Sequence, residues 1–439
     1  MPPFDRFDTV DELTERLRAL TEEFPDTVRA RRIGTSRLGE ALQCVSVGDG
    51  PAAAVVFALP HPNEPIGGLT ALHLARRLSE DADLRERMGY TWHIVPCIDP
   101  DATRLNEGWL HGPFTLSHYG RHFYRPAGSE QVEWTFPIDY RGVYFDDAMP
   151  ETVALMRLID EVRPAFTCSL HNSEHGGVYY YVSRGTPELF TTLQSISGHV
   201  GVRLDTGEPE SADVEVLDTA IYRSLSARTI IDAALADGRS ADSMGSSGGS
   251  SADYGDRHGT LTLICEVPQW TSDAADDTTP TDLLYADLLR ETGADLRELG
   301  ESLTSVMDDV AGDCRTESPF LRASRFFVPA MVKAGTARTE RAQKVAKDRP
   351  ASVAERESCR AEVHSFRLRY AGILLRALDA ELAAGNATPA IRAGHARLAP
   401  RYAAWCEQAE AELVAEPIEI AKLVAIQYAA ILASAEHAR

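Results

Sequence analysis

AAAVVFALPHPNEPIGGLTALHLARRL (52–78) reads as three consecutive parts: an uncharged apolar run, a short polar turn and a helical stretch. The run over 52–59 has the composition of a strand buried on both faces. The turn sets His61 and Glu64 three residues apart, before a helix that begins near Ile66. In a sheet covered on both sides, such strand-end loops are where functional groups are exposed. A His and a Glu at this spacing can converge on one ion, each donor atom ~2.0–2.2 Å from zinc. Taken alone, the stretch also fits a solvated turn that merely contains both residue types.

Outward from this segment the pattern repeats. Short β-rich runs fall at 42–48, 91–98, 166–171, 178–183 and 260–267, with helical stretches such as PETVALMRLIDEV (150–162) between them. Near the start, TVDELTERLRALTEEF (9–24) carries Val10, Leu13, Leu17 and Leu20 as a helical stripe. Alternating strands and helices, with several strands almost wholly apolar, predict an α/β fold whose mixed, mostly buried sheet is flanked by helices. From about 319 onward the β-rich runs cease. Ala, Leu, Arg and Glu dominate there, and prolines at 329, 350, 389, 400 and 417 suggest four or five helices. The expected division is an α/β domain over 1–314 and an all-α extension over 315–439.

Two further segments resemble the first in kind. AFTCSLHNSEHGG (165–177) places His171 just beyond an apolar strand, where it could complete a His₂Glu set and leave a fourth position to water. His175 competes for that role, and a buried structural histidine is the plain alternative. In GTLTLICEVP (259–268), Glu266 ends an uncharged β-prone run. A carboxylate there is paired, protonated or placed at a cleft, and a general base beside a metal-bound water fits.

Composition narrows the classes. A chain of 439 residues is long enough for two or three domains. With 44 basic and 66 acidic residues its net charge is −22, which argues against nucleic acid or an anionic membrane as partner. Charge is unevenly divided: 315–439 holds 19 basic and 14 acidic residues, so the acidity lies in 1–314. That contrast makes docking of the helices onto the acidic domain, or self-association through them, an expectation beside that of a plain stabilising extension. No apolar run approaches the ~18 residues of a membrane span. An acidic, polar N-terminus and seven cysteines without a CxxC pair lead us to expect free thiols and a cytoplasmic setting.

Taken in order, these motifs resemble the zinc carboxypeptidase family over about residues 10–310. EFPDTVRARRIGTSRLGEALQCVSVG (23–48) is similar to that family's entry segment, HPNEP (61–65) to its zinc motif, and CIDPDATR (97–104) to its Asn-Pro-Asp-Gly segment. AMPET (148–152), SLHN (169–172) and SSGGSSADYGDRHGTLTLICE (246–266) resemble the helix start before the third ligand, that ligand's context and the loop leading to the catalytic glutamate. The resemblance implies a three-layer fold, one Zn²⁺ per chain on His61, Glu64 and His171, and Glu266 as the base. It also implies that Arg125 polarises the scissile carbonyl, with Arg121 or Arg141 as alternatives, and that the substrate is a peptide or amide.

The chain departs from the family at two places. Glu133 and Trp134 stand where an Asn-Arg pair grips a substrate's terminal carboxylate, and Met244 stands where a tyrosine closes over substrate. A planar, always-charged fork suits a carboxylate, and Glu133 would repel one. Glu133, Trp134, Arg141 and Met244 are therefore the expected substrate-binding residues of a non-standard leaving-group pocket. Alternative readings are an N-acyl amino acid amidohydrolase of the aspartoacylase type and a catalytically silent binding module.

Overall fold

The computed structural model describes residues 4–210, 214–236, 238, 247–413 and 415–439. Nine strands form its main sheet: β1 (Val28–Thr35), β2 (Ala41–Val47), β3 (Ala52–Ala58), β4 (Tyr90–Val95), β5 (Phe166–Gly176), β6 (Tyr179–Val182), β7 (Val216–Asp218), β8 (Ile221–Arg223) and β9 (Leu261–Thr271). Their order across the sheet is β1-β2-β4-β3-β5-β9-β6-β8-β7. The central strands β4, β3, β5 and β9 run parallel, and antiparallel pairs close both flanks.

β3 shows why the sheet is a middle layer. Ala54, Val56 and Ala58 join one apolar cluster, and Val55 and Phe57 join another on the opposite face. Side chains alternate sides along a strand, so an unbroken apolar run buries both. On the first face lie α1 (Val10–Glu23) and α2 (Ile66–Glu80); on the second lies α3 (Pro150–Val162), through Leu155, Leu158 and Ile159. Thr9 caps α1 in a reciprocal box with Glu12, and Val10, Leu13, Leu17 and Leu20 are its buried stripe, as the spacing predicts. At Gly67 a Cβ would sit 2.8 Å from the Leu170 Cβ, so glycine lets the start of α2 lie against β5.

α4 (Pro187–His199) follows β6, and the C-terminal region is helical: α5 (Tyr285–Val310), α6 (Pro319–Lys344), α7 (Val353–Ala383), α8 (Pro389–Glu412) and α9 (Ile420–His437). Here the structure departs from expectation: Pro329 and Pro400 lie inside α6 and α8 rather than between helices. Position 314/315 falls between α5 and α6. α9 packs on α2, β5 and β9, and its Leu423, Val424, Ile426 and Ile431 belong to the same apolar cluster as the sheet. The last helix is thus a wall of the α/β layer structure, and α5 to α8 are carried between β9 and that wall. All seven cysteines are free thiols. No described helix is long and apolar enough to cross a membrane.

Candidate metal centre

Three neighbouring parallel strands deliver the site at their carboxyl ends. The chain leaves β3 through Leu59 at φ 56°, a left-handed conformation unusual for leucine, and the turn that follows carries His61 and Glu64. β5 carries His171, and β9 carries Glu266 directly opposite it in register. β3 and β5 pair up to Ala58 and Leu170, where β3 ends, while β5 and β9 run on past the site and pair as far as Gly176 and Thr271.

The side chains converge. His61 Nδ1 lies 3.1 Å from Glu64 Oε1, and His171 Nδ1 lies 2.9 Å from Glu64 Oε2. The two imidazoles meet edge to face with centroids 4.6 Å apart. His61, Glu64 and His171 form a buried cluster whose donor atoms lie within 4.8 Å of one another. Glu266 Oε1 is 3.8 Å from His171 Nδ1, and Arg125 Nη1 donates to Glu64 Oε1 at 3.0 Å.

Electrostatics distinguish the two histidines. Burial lowers His61 to about 4, helped by the Arg125 cation, so this ring is a neutral donor, and its buried Nε2 has no partner. Burial also opposes charge on His171, but Glu64, Glu133 and Glu266 outweigh it and push this imidazole well above its usual range. Burial works against the Glu64 carboxylate as well, yet the two imidazoles hold it well below the usual range. Glu266 goes the other way: burial raises it, His171 opposes, and Glu64 adds to the rise. Glu64 and Glu266 face the Nδ1 side of His171 and Glu133 lies behind its Nε2, so positive charge is favoured at this point. A neutral imidazole, a second imidazole and a two-oxygen carboxylate around that point fit a divalent ion such as zinc.

Behind His171, the Nε2 atom is 2.8 Å from Ser169 Oγ, and that hydroxyl donates to Glu133 Oε1 at 2.5 Å. The chain of bonds is satisfied when Nε2 carries the proton, which leaves the Nδ1 lone pair for the site.

The site opens into a cavity of about 540 Å³. His61, Glu64, Arg125, Trp134, Tyr179 and Glu266 line its near side. Its far wall comes from the 205–210 segment and from α6 and α7, including Phe326, Glu362 and Arg369. Residues 13–269 match the family model for zinc carboxypeptidases. The chain belongs to the zinc carboxypeptidase family.

Members of this family are zinc-dependent, in keeping with the His-Glu-His cluster. Among solved structures, the chain is similar to a carboxypeptidase A from Helicoverpa armigera, at 13% identity over 77% of this chain and 74% of that one, TM-score 0.41. It is also similar to a metallo-carboxypeptidase from Burkholderia cenocepacia, at 14% identity over 60% of each chain, TM-score 0.37. Membership rests on the family match.

Set beside the zinc carboxypeptidase motifs, the remaining expected residues divide. Trp134 lines the cavity. Glu133, 3% exposed, does not: Ser251 N and Oγ and Ser169 Oγ all donate to its carboxylate. Its expected contact with substrate is therefore corrected to a buried place behind His171. Arg141 is also off the cavity, on the turn between Ile138–Tyr140 and Val143–Phe145, where it pairs with Asp232 at 3.0 Å. Arg121 pairs with Asp379 of α7 at 2.5 Å, so of the three candidate arginines Arg125 alone faces the site. Met244 lies outside the described residues. Glu174 and Arg369 were not foreseen. They pair at 2.8 Å in the cavity lining, and no local sequence signal joins residues 195 positions apart.

Proposed function

We propose that this protein is a zinc-dependent hydrolase that cleaves a peptide or amide bond, holding one zinc per chain on His61, Glu64 and His171. The observation that carries this reading is the convergence of those three residues with Glu266 and Arg125, at a point where His61, Glu64, Glu266 and Arg125 line one cavity. Zinc, when bound, lowers the pKa of a water toward ~7 and polarises a carbonyl. Glu266, at the cavity edge of the ligand cluster, takes the proton from the attacking water and returns it to the leaving amine. Burial favours the protonated half of that cycle, and His171 favours the ionised half. Arg125, held toward the site by Glu64 and by Gln131 at 3.2 Å, donates to the oxyanion that forms on the carbonyl.

The leaving-group side takes an amino or neutral polar end rather than a free carboxylate. Supporting this, each arginine lining the cavity is already paired: Arg125 with Glu64, Arg338 with Glu362 and Arg369 with Glu174. Asp205, Glu208 and Glu210 line the same space and add negative charge. Like charges facing a substrate carboxylate are unfavourable at short range.

Elemental analysis of wild type beside His171→Ala tests the metal, with one zinc per chain expected in the first and loss in the second. Hydrolysis of a panel of acylated dipeptides against the same compounds with amidated or amine-bearing ends tests the pocket. Best turnover of free C-terminal carboxylates would overturn that part.

A further inference from the structure

A single residue of the last helix reaches the backbone under the metal centre. Gln427, on α9, is fully buried. Its Nε2 donates to the His171 carbonyl at 2.6 Å and to the Cys265 carbonyl at 3.3 Å. Its Oε1 accepts from the Thr70 hydroxyl at 2.7 Å. These partners orient the amide: two carbonyls accept from its N–H groups, and the Thr70 hydroxyl, which also reaches the Ile66 carbonyl at 3.2 Å, donates to its oxygen at the shorter distance. One side chain thus ties together β5 at the third ligand, β9 one residue before Glu266, and α2 six residues after Glu64.

We propose that Gln427 is a positioning residue that fixes the spacing between His171 and Glu266, resting on the metal-site reading above. The carbonyl of His171 shares its residue with the imidazole, so moving that carbonyl moves the ligand. Cys265 stands in the same relation to Glu266. Sites of this kind need their groups held within about 0.5 Å, and supports beyond the ligands commonly change metal affinity by about 10–100-fold. Gln427 lies far outside residues 13–269, the part that matches the zinc carboxypeptidase family. The inference therefore gives the C-terminal region a direct hold on the chemistry.

The test uses the full chain with cobalt(II) in place of zinc and reads the visible absorption bands, which report ligand geometry. Gln427→Met keeps the length and removes both donors; Thr70→Val removes the hydroxyl that orients the amide. Val424→Ala, in the same buried helix, is the control for general destabilisation. We expect shifted bands and about tenfold weaker cobalt binding in Gln427→Met, a smaller shift in Thr70→Val, and wild-type bands in the control. Loss of activity in Gln427→Met falls on kcat with KM nearly unchanged. Should Gln427→Met fail to fold, Thr70→Val decides. A wild type that binds no cobalt overturns the metal-site reading and this inference together. Wild-type bands that persist in Gln427→Met, or in Thr70→Val when only that variant folds, overturn this inference alone, as does an equal shift in Val424→Ala.

Discussion

Glu133 reaches His171 through the Ser169 hydroxyl, 2.5 Å from the carboxylate and 2.8 Å from the imidazole Nε2. A carboxylate behind a ligating histidine fixes the ring's tautomer and raises its basicity. Glu133→Gln retains the shape and loses the charge. We expect zinc affinity about 10–100-fold weaker, read by competition with a chromophoric chelator, with the fold intact by circular dichroism. Unchanged affinity combined with a changed substrate preference would return Glu133 to the pocket wall.

Glu266→Gln removes the proton acceptor and leaves His61, Glu64 and His171 in place. Zinc content stays at the wild-type level, and kcat on any accepted amide falls by about 10²–10⁴. Normal turnover in this variant excludes Glu266 as the base.

Arg125→Ala removes a donor at the oxyanion and also frees Glu64 Oε1 from its 3.0 Å contact. Loss of one such donor typically lowers kcat by about 10²–10³. Because Arg121 and Arg141 pair with Asp379 and Asp232 elsewhere, their alanine variants should change kcat by less than about threefold. Steady-state kinetics of the three variants side by side decides the assignment.

Asp99 gives the fold an acid-side bias. Burial pushes its carboxyl up to about 7; the Ala102 N–H that it caps and Arg37 oppose this, while Glu151 and Asp101 add to it. The folded chain therefore keeps a proton that the unfolded chain, with a pKa near ~3.9, has released. This contribution is whole below about pH 4 and is lost as pH rises toward 7. Asp99→Asn keeps a capping side chain and removes the titration. Urea midpoints at about pH 5 and about pH 7 should lie closer together in the variant; an undiminished gap would assign the pH dependence to other groups.

A chain ending before Ser318 should not fold. α9 buries Leu423, Val424, Ile426 and Ile431 against the sheet layer, and each such side chain contributes about 1.5–3 kcal/mol. Their sum is comparable to the ~5–15 kcal/mol that holds a whole domain together. A soluble, cooperatively melting 1–317 fragment would show that the helices are dispensable.

The ligand set was legible because each member breaks a local pattern. His61 and Glu64 interrupt the passage from an apolar strand to a helix, His171 follows an apolar run although its strand continues to Gly176, and Glu266 is a charge in an otherwise uncharged run. The sheet's two-sided burial was legible for the same reason, since β3 and β9 have no polar face. Glu133 was misplaced because its neighbours, Ser169 and Ser251, come from distant segments, and sequence shows a carboxylate's charge but not its donors. Pro329 and Pro400 misled in another way: tertiary packing carried α6 and α8 through residues that ordinarily end a helix. The charge contrast pointed to docking of the C-terminal helices but not to which of them lies in the layer structure. An apolar helix reads alike whether it covers its own bundle or a sheet laid down much earlier in the chain.

The position of α9 also bears on how the protein is made. His61, Glu64, His171 and Glu266 are synthesised long before the helix that covers β5 and β9, which begins only at Ile420. Until then the part of the sheet face that α1 and α2 leave open is apolar and uncovered, the kind of surface that chaperones hold. The covering of β5 and β9 is thereby completed only after Ile420–His437 has been made, long after the ligand residues themselves.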